Sequence, residues 1–446
     1  MISVYADKKS SGIDWLGEIP KHWNVTALKR VLSEPLKYGA TEAGDRDDRS
    51  LPRYLRITDF DSDGNLRDDT FASLPEEIAR DYLLSEGDIL FARSGATVGK
   101  TFLFRNHRGR TCFAGYLIKA SPARHKLTSE FLYYFTKSPS YEAWKDFIFT
   151  QATIQNIGAD KYAYLPLCLP SLSEQERIVA YLDASCAAID AAVAAKRRQI
   201  EVLDSMVLST IQHAAIQGLT STGKRKLSAL DWPPAAPSHW EVQQIKRRCA
   251  LLRGKFSHRP RNDPALYDGE YPFVQTGDIR AAEKYIRNYS QTLNELGFSV
   301  SKMFPRGTLV MSIAANVGDV AILDFEACFP DSMIGLVPDH RTNLDFLYYL
   351  MRAMKGTLLR SAVLTTQLNL NYVRIGTNFA AFPPKQEQED IAAFLDAKID
   401  EVRATQAVLH RQIETLVAYR KSLIHECVTG QRRITEEDLN KVKAHG

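Results

Sequence analysis

Two runs of this chain carry apolar residues at a seven-residue period over about 44 positions each, Glu174–Gln217 and Glu387–Gly430. In the first, Leu182, Ile189 and Leu203 fall seven or fourteen apart, with Cys186, Val193, Ile200 and Val207 between them. In the second, Leu395, Val402, Leu409, Leu416 and Leu423 repeat strictly, and Ile399 and Ile413 take the other seam position. Neither run contains proline, and glycine enters only at the ends, as Gly218 and Gly430. Sustained spacing of this kind predicts helices with a coiled-coil seam. Leu182 and Ile200 find counterparts in Leu395 and Ile413 at one constant offset, so the two registers agree. Lys196, Gln406 and Arg420 interrupt the seam, at positions that are exposed or polar-paired. Such helices, roughly 65 Å long at 1.5 Å per residue, are too long to be covered by one small domain each.

The segments before each run have a different texture. Short apolar runs at Asp88–Ala92, Thr101–Phe104 and Thr308–Ser312 predict strands, broken by turn residues. A helix is predicted around each FLYY, at Phe131–Tyr134 and Phe346–Tyr349. The fold class is therefore α+β.

These segments repeat one another. IPKHWNVTALKR at Ile19–Arg30 returns as APSHWEVQQIKR at Ala236–Arg247. EGDILFARSGATVGK from Glu86 returns as RGTLVMSIAANVGD from Arg306, and LPSLSEQERIVAYLD from Leu169 returns as FPPKQEQEDIAAFLD from Phe382. With the FLYY pair and the helical runs, the shared landmarks keep one order, so the chain is an internal duplication. The expected division is 1–170 and 221–384 for two similar domains, 171–220 and 385–432 for two helical spacers, and 433–446 for a tail. If the second domain is compact, its entry and exit lie close together. The second helix then runs back beside the first, antiparallel, with a domain at each end and a pseudo-twofold axis across the middle. A rod with similar heads measures distance, and twofold-related DNA readers engage half-sites one duplex turn, ~34–36 Å, apart.

Charge permits a nucleic-acid partner without demanding one: 57 Lys and Arg against 53 Asp and Glu give +4 in 446 residues. The six cysteines include no CxxC pair and have no histidine cluster beside them, which argues for reduced core thiols and against a structural zinc. The N-terminus lacks the apolar core of a secretory signal, and no apolar run is expected to reach bilayer-spanning length. A cytoplasmic location is expected.

WLGEIPKHWNVTALKR, GDILFARSGATVGK, LPSLSEQERIVAYLD and the closing AYRKSLIHECVTG resemble the recurrent signatures of type I restriction-modification specificity subunits, across nearly the whole chain. The resemblance implies two target-recognition domains joined by helical spacers. It also implies double-stranded DNA as ligand and assembly with two methyltransferase subunits, which modify adenine and bind S-adenosylmethionine, and with restriction translocase subunits. This chain itself would hold no cofactor, no metal and no catalytic residue. Only the second spacer ends in AYRKSLIHECVTG; the first reads DSMVLSTIQHAAIQG, so partner contacts on the two helices need not be equivalent.

Candidate DNA contacts begin with Lys246–Arg261, which contains Lys246, Arg247, Arg248, Arg253, Lys255, Arg259 and Arg261 and no acid. Such side chains neutralise phosphates, and arginine also reads guanine. The first-copy counterpart is mixed: Asp45, Arg46, Asp47, Asp48 and Arg49. Arg93, Ser94 and Lys100 lie in a glycine-rich turn, with Ser312 and Asn316 near their positions in the second copy. Gln151, Gln155 and Asn156, with Gln367, Asn369 and Asn371, offer amides for adenine edges. Solvated loops, hairpin turns and turn-capping amides are the plainer readings of these groups. Trp23 and Trp240 are expected in the core.

Two motifs imitate catalysis. GATVGKT has three residues between Gly95 and Gly99 where a phosphate-binding loop needs four, and its repeat replaces the lysine with Asp319. DWPP at Asp231–Pro234 lacks the aromatic residue that would stack on an extruded base. An autonomous methyltransferase or nuclease with built-in recognition domains, and a coiled-coil scaffold that binds only proteins, are the alternatives. Binding of S-adenosylmethionine by the isolated chain would favour the former, and a lack of sequence-specific retention on DNA the latter.

Overall fold

A computed structural model describes residues 3–44, 46–61, 66–67, 69–107, 109–150, 156–219, 225–227, 235–314, 317–360, 363–364, 368–369 and 372–445. The chain forms two compact units, Met1–Arg197 with His410–Gly446, and Arg198–Leu409. The division falls inside the two long helices rather than at their ends, so each unit holds one α+β domain and a part of both spacers.

In the first unit, β1 (Lys37–Tyr38), β2 (Ile89–Ala92), β3 (Thr101–Leu103) and β4 (Leu117–Ala120) make a four-stranded sheet of order β1-β4-β2-β3. In the second, β5 (Cys249–Arg253), β6 (Tyr285–Ile286), β7 (Leu309–Ser312), β8 (Val320–Leu323) and β9 (Met333–Pro338) follow the order β5-β9-β7-β8-β6. The first four strands of that order repeat the first sheet, and β6 adds a parallel edge to β8. Each unit also has a parallel strand pair, Arg53–Leu55 with Thr111–Phe113 and Tyr267–Phe273 with Ala327–Cys328. Each has an antiparallel pair that closes the domain, Asn24–Ala27 with Pro166–Leu169 and Glu241–Gln244 with Phe379–Phe382. The duplication read in the sequence is thus a duplication of topology.

The FLYY segments lie in helices α1 (Ser129–Phe135) and α4 (Leu344–Arg360); α2 (Pro139–Thr150) follows α1. They face the sheet with their apolar residues and the spacers with their second tyrosine. Tyr134 donates to Asp183 Oδ1 at 2.6 Å in the first unit, and Tyr349 to Asp396 Oδ1 at 2.5 Å in the second. The spacers, α3 (Leu172–Gln217) and α5 (Lys385–Val428), each start after a two-residue, proline-containing turn that follows the domain-closing strand. Trp23 and Trp240 are both buried, as expected, and His22 and His239 beside them pair with Glu174 and Glu387 at the start of each spacer. A short helix, α6 (Glu436–His445), ends the chain in the first unit, where Arg433 N–H donates to Ser3 O at 2.9 Å.

Within each unit the two helices run antiparallel. In the first, Arg420 Nε lies 3.0 Å from Asp190 Oδ1, and Lys196 Nζ donates to Gln412 Oε1 at 2.6 Å. In the second, Gln406 Nε2 donates to Asp204 Oδ1 at 2.8 Å, and Ile211, Ala214 and Ala215 share a core with Leu395 and Ile399. All three seam interruptions are therefore polar-paired. Leu182, Ile189, Val193, Leu395, Ile399 and Val402 are buried; Ile200, Leu203, Leu409, Ile413 and Leu416 are half-buried.

The expectation that no apolar run would reach bilayer-spanning length needs correction, because α3 is long and apolar enough by length and composition. Its alanines raise the hydropathy, while Leu182, Cys186, Ile189 and Val193 are spent on the core of the first unit. Asp183 and Asp190 on the same helix are held by Tyr134 and Arg420, the arrangement of a helix packed on protein. All six cysteines are buried and free.

Candidate nucleic-acid interface

The candidate surfaces form where the loop after each parallel strand pair meets the edge strand of the main sheet. In the first unit Ala40 N–H donates to Phe113 O at 2.9 Å, Gly39 N–H to Leu117 O at 3.3 Å, and Arg93 N–H to Tyr116 O at 3.0 Å. In the second, Lys255 N–H donates to Phe329 O, Gly254 N–H to Met333 O and Ile313 N–H to Ser332 O, each at 3.0 Å. These three matched bonds align the loops residue by residue: Gly115 with Asp331, Tyr116 with Ser332, Tyr38 with Arg253. The approach is close enough to require glycine. A Cβ on Gly39 would lie 2.3 Å from Phe113 O, and one on Gly254 2.0 Å from Pro330 O.

On this common frame the side chains differ. In the first unit Arg93 follows β2, half-buried, with its guanidinium 4.9 Å from the Tyr38 ring centre and Nη1 3.4 Å from Gly115 O. Ser94 forms an antiparallel bridge with Asn156, and Ile157 N–H donates to Arg93 O at 2.9 Å. Two groups that the sequence holds about sixty positions apart, the glycine-rich turn and the amide segment, are thereby brought together. Lys100 is exposed at the far end of that turn. Tyr38 and Tyr116, the latter 67% exposed, complete the cluster and were not singled out in the sequence. Aligning LKYGA with LLRGK would have pointed to Tyr38, which stands where the second copy has Arg253.

In the second unit Arg253 and Lys255 are exposed on either side of Gly254. Arg259 donates from Nη1 to Phe256 O at 2.8 Å and His258 O at 2.7 Å, and from Nη2 to Asp331 Oδ2 at 3.3 Å. Arg261 Nη2 donates to the other oxygen of Asp331. Lys246 and Arg247 are exposed. Two residues of the candidate set are not available to DNA. Ser312 is fully buried and its hydroxyl donates to Ala314 O at 2.6 Å, because it ends a central strand with its side chain inward. Arg248 is buried over the Phe382 ring and donates to Glu241 Oε2 at 2.6 Å, so it ties the edge of the domain together.

Gln151, Gln155, Asn316, Gln367 and Asn371 lie outside the described residues, as do Asp45 and Asp231–Pro234. Asn369 pairs with Val363 through a short hairpin, and only its backbone is described. In the mixed acidic stretch, Asp48 accepts from the Ser50 hydroxyl and N–H at 2.7 and 2.9 Å, which hold its carboxyl below the usual range. The GATVGKT segment forms a 3-10 turn at Gly95–Thr97 and then enters β3. A phosphate-binding loop would open into a helix N-terminus, which this turn does not supply.

Alanine at Arg253, Lys255 and Arg259 together is expected to weaken DNA binding and lower the salt slope of log K by about two to three. Fluorescence anisotropy between 50 and 200 mM salt reads this; an unchanged slope would remove the segment from the interface.

Fold and surface together define a duplicated sequence reader: two copies of one scaffold, with a basic and aromatic edge in the first and an arginine-rich edge in the second, built on the same loop. The profile of the type I restriction modification DNA specificity domain matches residues 54–202 and 237–415, and the chain belongs to that family. Over 436 residues, covering 94% of this chain and 96% of the relative, it is 25% identical to the "Putative type I restriction enzyme MjaX specificity subunit" of Methanocaldococcus jannaschii. Its fold is similar to that of the HsdS subunit from Thermoanaerobacter tengcongensis, with a TM-score of 0.52, 17% identity, and coverage of 92% and 98% of the two chains. A chain from a structure on complex assembly and conformational transition of the type I R-M system gives a TM-score of 0.70 at 16% identity, with the same coverage. The protein is a type I restriction-modification specificity subunit whose two target-recognition domains recognise DNA sequence, and such subunits are generally non-catalytic.

Proposed function

We propose that each target-recognition domain reads one half of a split DNA target and that the paired spacer helices fix the gap between the halves. One observation carries this reading: the matched loop bonds preserve the backbone frame in both domains while the side chains on it differ, Tyr38, Arg93 and Tyr116 in one against Arg253, Lys255 and Asp331 in the other. One scaffold presenting two chemistries is what two different half-sites require. The seam pairs Lys196–Gln412 and Gln406–Asp204 favour a stiff spacer, since they define register within each unit.

The subunit also recruits two methyltransferase subunits, which bind S-adenosylmethionine and modify adenines, and restriction translocase subunits; it works in the cytoplasm. Exposed Val202, Met206 and Val408 on the spacers of the second unit, and Val417 and Tyr419 on α5 in the first, support protein partners there.

The test is domain exchange. Replacing residues 1–170 with the corresponding domain of a relative is expected to change one half of the target recovered from methylated genomic positions. A change in both halves would show that the domains do not read independently.

A further inference from the structure

The loop between the second strand of the parallel pair and the next sheet strand has the same backbone bonds in both domains, and in both it holds arginine. In the first domain the acceptor is a main-chain oxygen, Gly115 O, and the arginine is Arg93, which enters from the turn after β2. In the second, the position of Arg93 is taken by buried Ile313 and that of Gly115 by Asp331. The arginines there come from another segment, Arg259 and Arg261 after β5, and each carboxylate oxygen of Asp331 takes one of them. Different arginines thus converge on one structural address by different routes.

We propose that Asp331 is a positioning residue for DNA reading by the second domain: it fixes Arg259 and Arg261 in the orientation that discriminates bases. The inference rests on the reading that each domain takes its own half-site.

The physical case has three parts. A free arginine loses much rotamer freedom when it docks, and a guanidinium already held by fixed acceptors has lost it beforehand. Arg259 is held most firmly, by two carbonyls and the carboxylate, yet its side chain is 53% exposed, and that of Arg261 45%. Their remaining N–H groups are available for a base edge or phosphate, while Asp331, at 28% exposure, sits behind them. Finally, one carboxylate against two guanidiniums cancels part of the local positive charge. That lowers attraction to any phosphate backbone and leaves more of the binding to groups that need the right base.

Opposite signs for affinity and specificity follow. With Asp331→Asn, Arg259 and Arg261 gain freedom and the segment gains one positive charge. Binding to random duplex should tighten several-fold, with the salt slope steeper by about one. Discrimination at the positions read by the second domain should fall by roughly tenfold, the scale of one lost bidentate contact. Asp331→Glu keeps the charge and should retain most of the discrimination.

The experiment selects bound sequences from a duplex library randomised across the target, with the full chain assembled with its methyltransferase partners, and compares base preference position by position. Relaxation in one half only, the half that exchange of residues 221–384 alters, is the expected result. A split wild-type motif that Asp331→Asn leaves intact, or relaxes equally in both halves, would overturn this inference alone. A wild-type selection without a split motif would overturn the half-site reading and this inference with it. Thermal unfolding within about 2 °C of wild type for Asp331→Asn is part of the expected result, because among the described residues the side chain bonds the two surface arginines alone.

Discussion

Gln388→Ala is expected to destabilise the protein by about 3–5 kcal/mol, as measured by urea unfolding. Gln388 is completely buried at the start of α5, where three backbone groups depend on it. Nε2 donates to Arg341 O at 3.0 Å and Pro383 O at 2.8 Å, and Oε1 accepts from Asn343 N–H at 2.8 Å. Alanine strips this partner from the buried Pro383 carbonyl and from the part-buried Arg341 carbonyl and Asn343 amide, at about 1–3 kcal/mol for the buried group and toward the lower end for the other two. Gln388→Glu should rescue little, since a carboxylate still accepts from Asn343 but faces two carbonyls it cannot satisfy. Gln175 does the same work in the first unit, with Lys126 O, Pro170 O and Thr128 N–H at 2.9, 3.0 and 2.9 Å, so Gln175→Ala should cost a similar amount. A loss below about 1 kcal/mol in either variant would mean that water replaces the side chain. The pair explains why the repeated SEQER and KQEQED segments carry glutamine at this place: it clips the helix start to the loop before each FLYY helix.

Raising the pH from 8.5 to 10.5 is expected to destabilise the first unit strongly. Burial pushes the thiols of Cys112, Cys168 and Cys427 up to about 12 and that of Cys186 up to about 11, from an ordinary 9.0. Between pH 9 and 11 the unfolded chain releases these protons and the folded chain keeps them. The folded state then binds more protons, and stability falls as pH rises. At about 1 kcal/mol per thiol per pH unit, four thiols remove several kcal/mol by pH 10, a large part of a total of about 5–15 kcal/mol. Lys137 acts the other way. Burial lowers its ammonium to about 8, so the folded state binds fewer protons than the unfolded one between pH 8 and 10.5 and gains stability there. Over this window one lysine offsets roughly one thiol, so the first unit keeps the equivalent of about three and the net sign stays destabilising. The second unit has two such thiols, Cys249, pushed up to about 12, and Cys328, raised, and should lose less. Hydrogen exchange resolved by segment across this pH range reads the difference; equal loss in both units, or none, would contradict it.

Periodicity and repetition made much of the architecture legible. The heptads of 174–217 and 387–430 predicted α3 and α5 to within two residues, because a seam of this length has few other structures to adopt. The apolar runs located β2, β3 and β7, and the repeated FLYY located α1 and α4. The match of sheet orders followed from the match of sequences. Bilayer-spanning character was misjudged in α3, where alanine contributes hydropathy without bulk and no single long run of large apolar residues draws the eye.

The candidate DNA-facing surface was only half legible. Composition located Arg253, Lys255, Arg259 and Arg261, since a run of bases without acids stands out in any sequence. It gave no sign that Arg248 in the same run is turned inward, or that Asp331, seventy positions away, holds two of the others. Direction of a side chain depends on strand pairing, and the partner strand comes from a distant part of the chain. Ser312 shows the same dependence, because a serine at the end of a central strand faces in or out according to register.

By itself, the sequence determined that the protein is built twice from one plan, that a long seamed helix follows each copy, and that one copy carries a concentrated basic segment. These are properties of period and composition, which a chain carries before it folds. Only the tertiary structure decided which residues meet: Ser94 with Asn156, Arg93 with Tyr38, two arginines with one aspartate. Such contacts are set by a few backbone hydrogen bonds between loops far apart in the chain, and no local pattern records them.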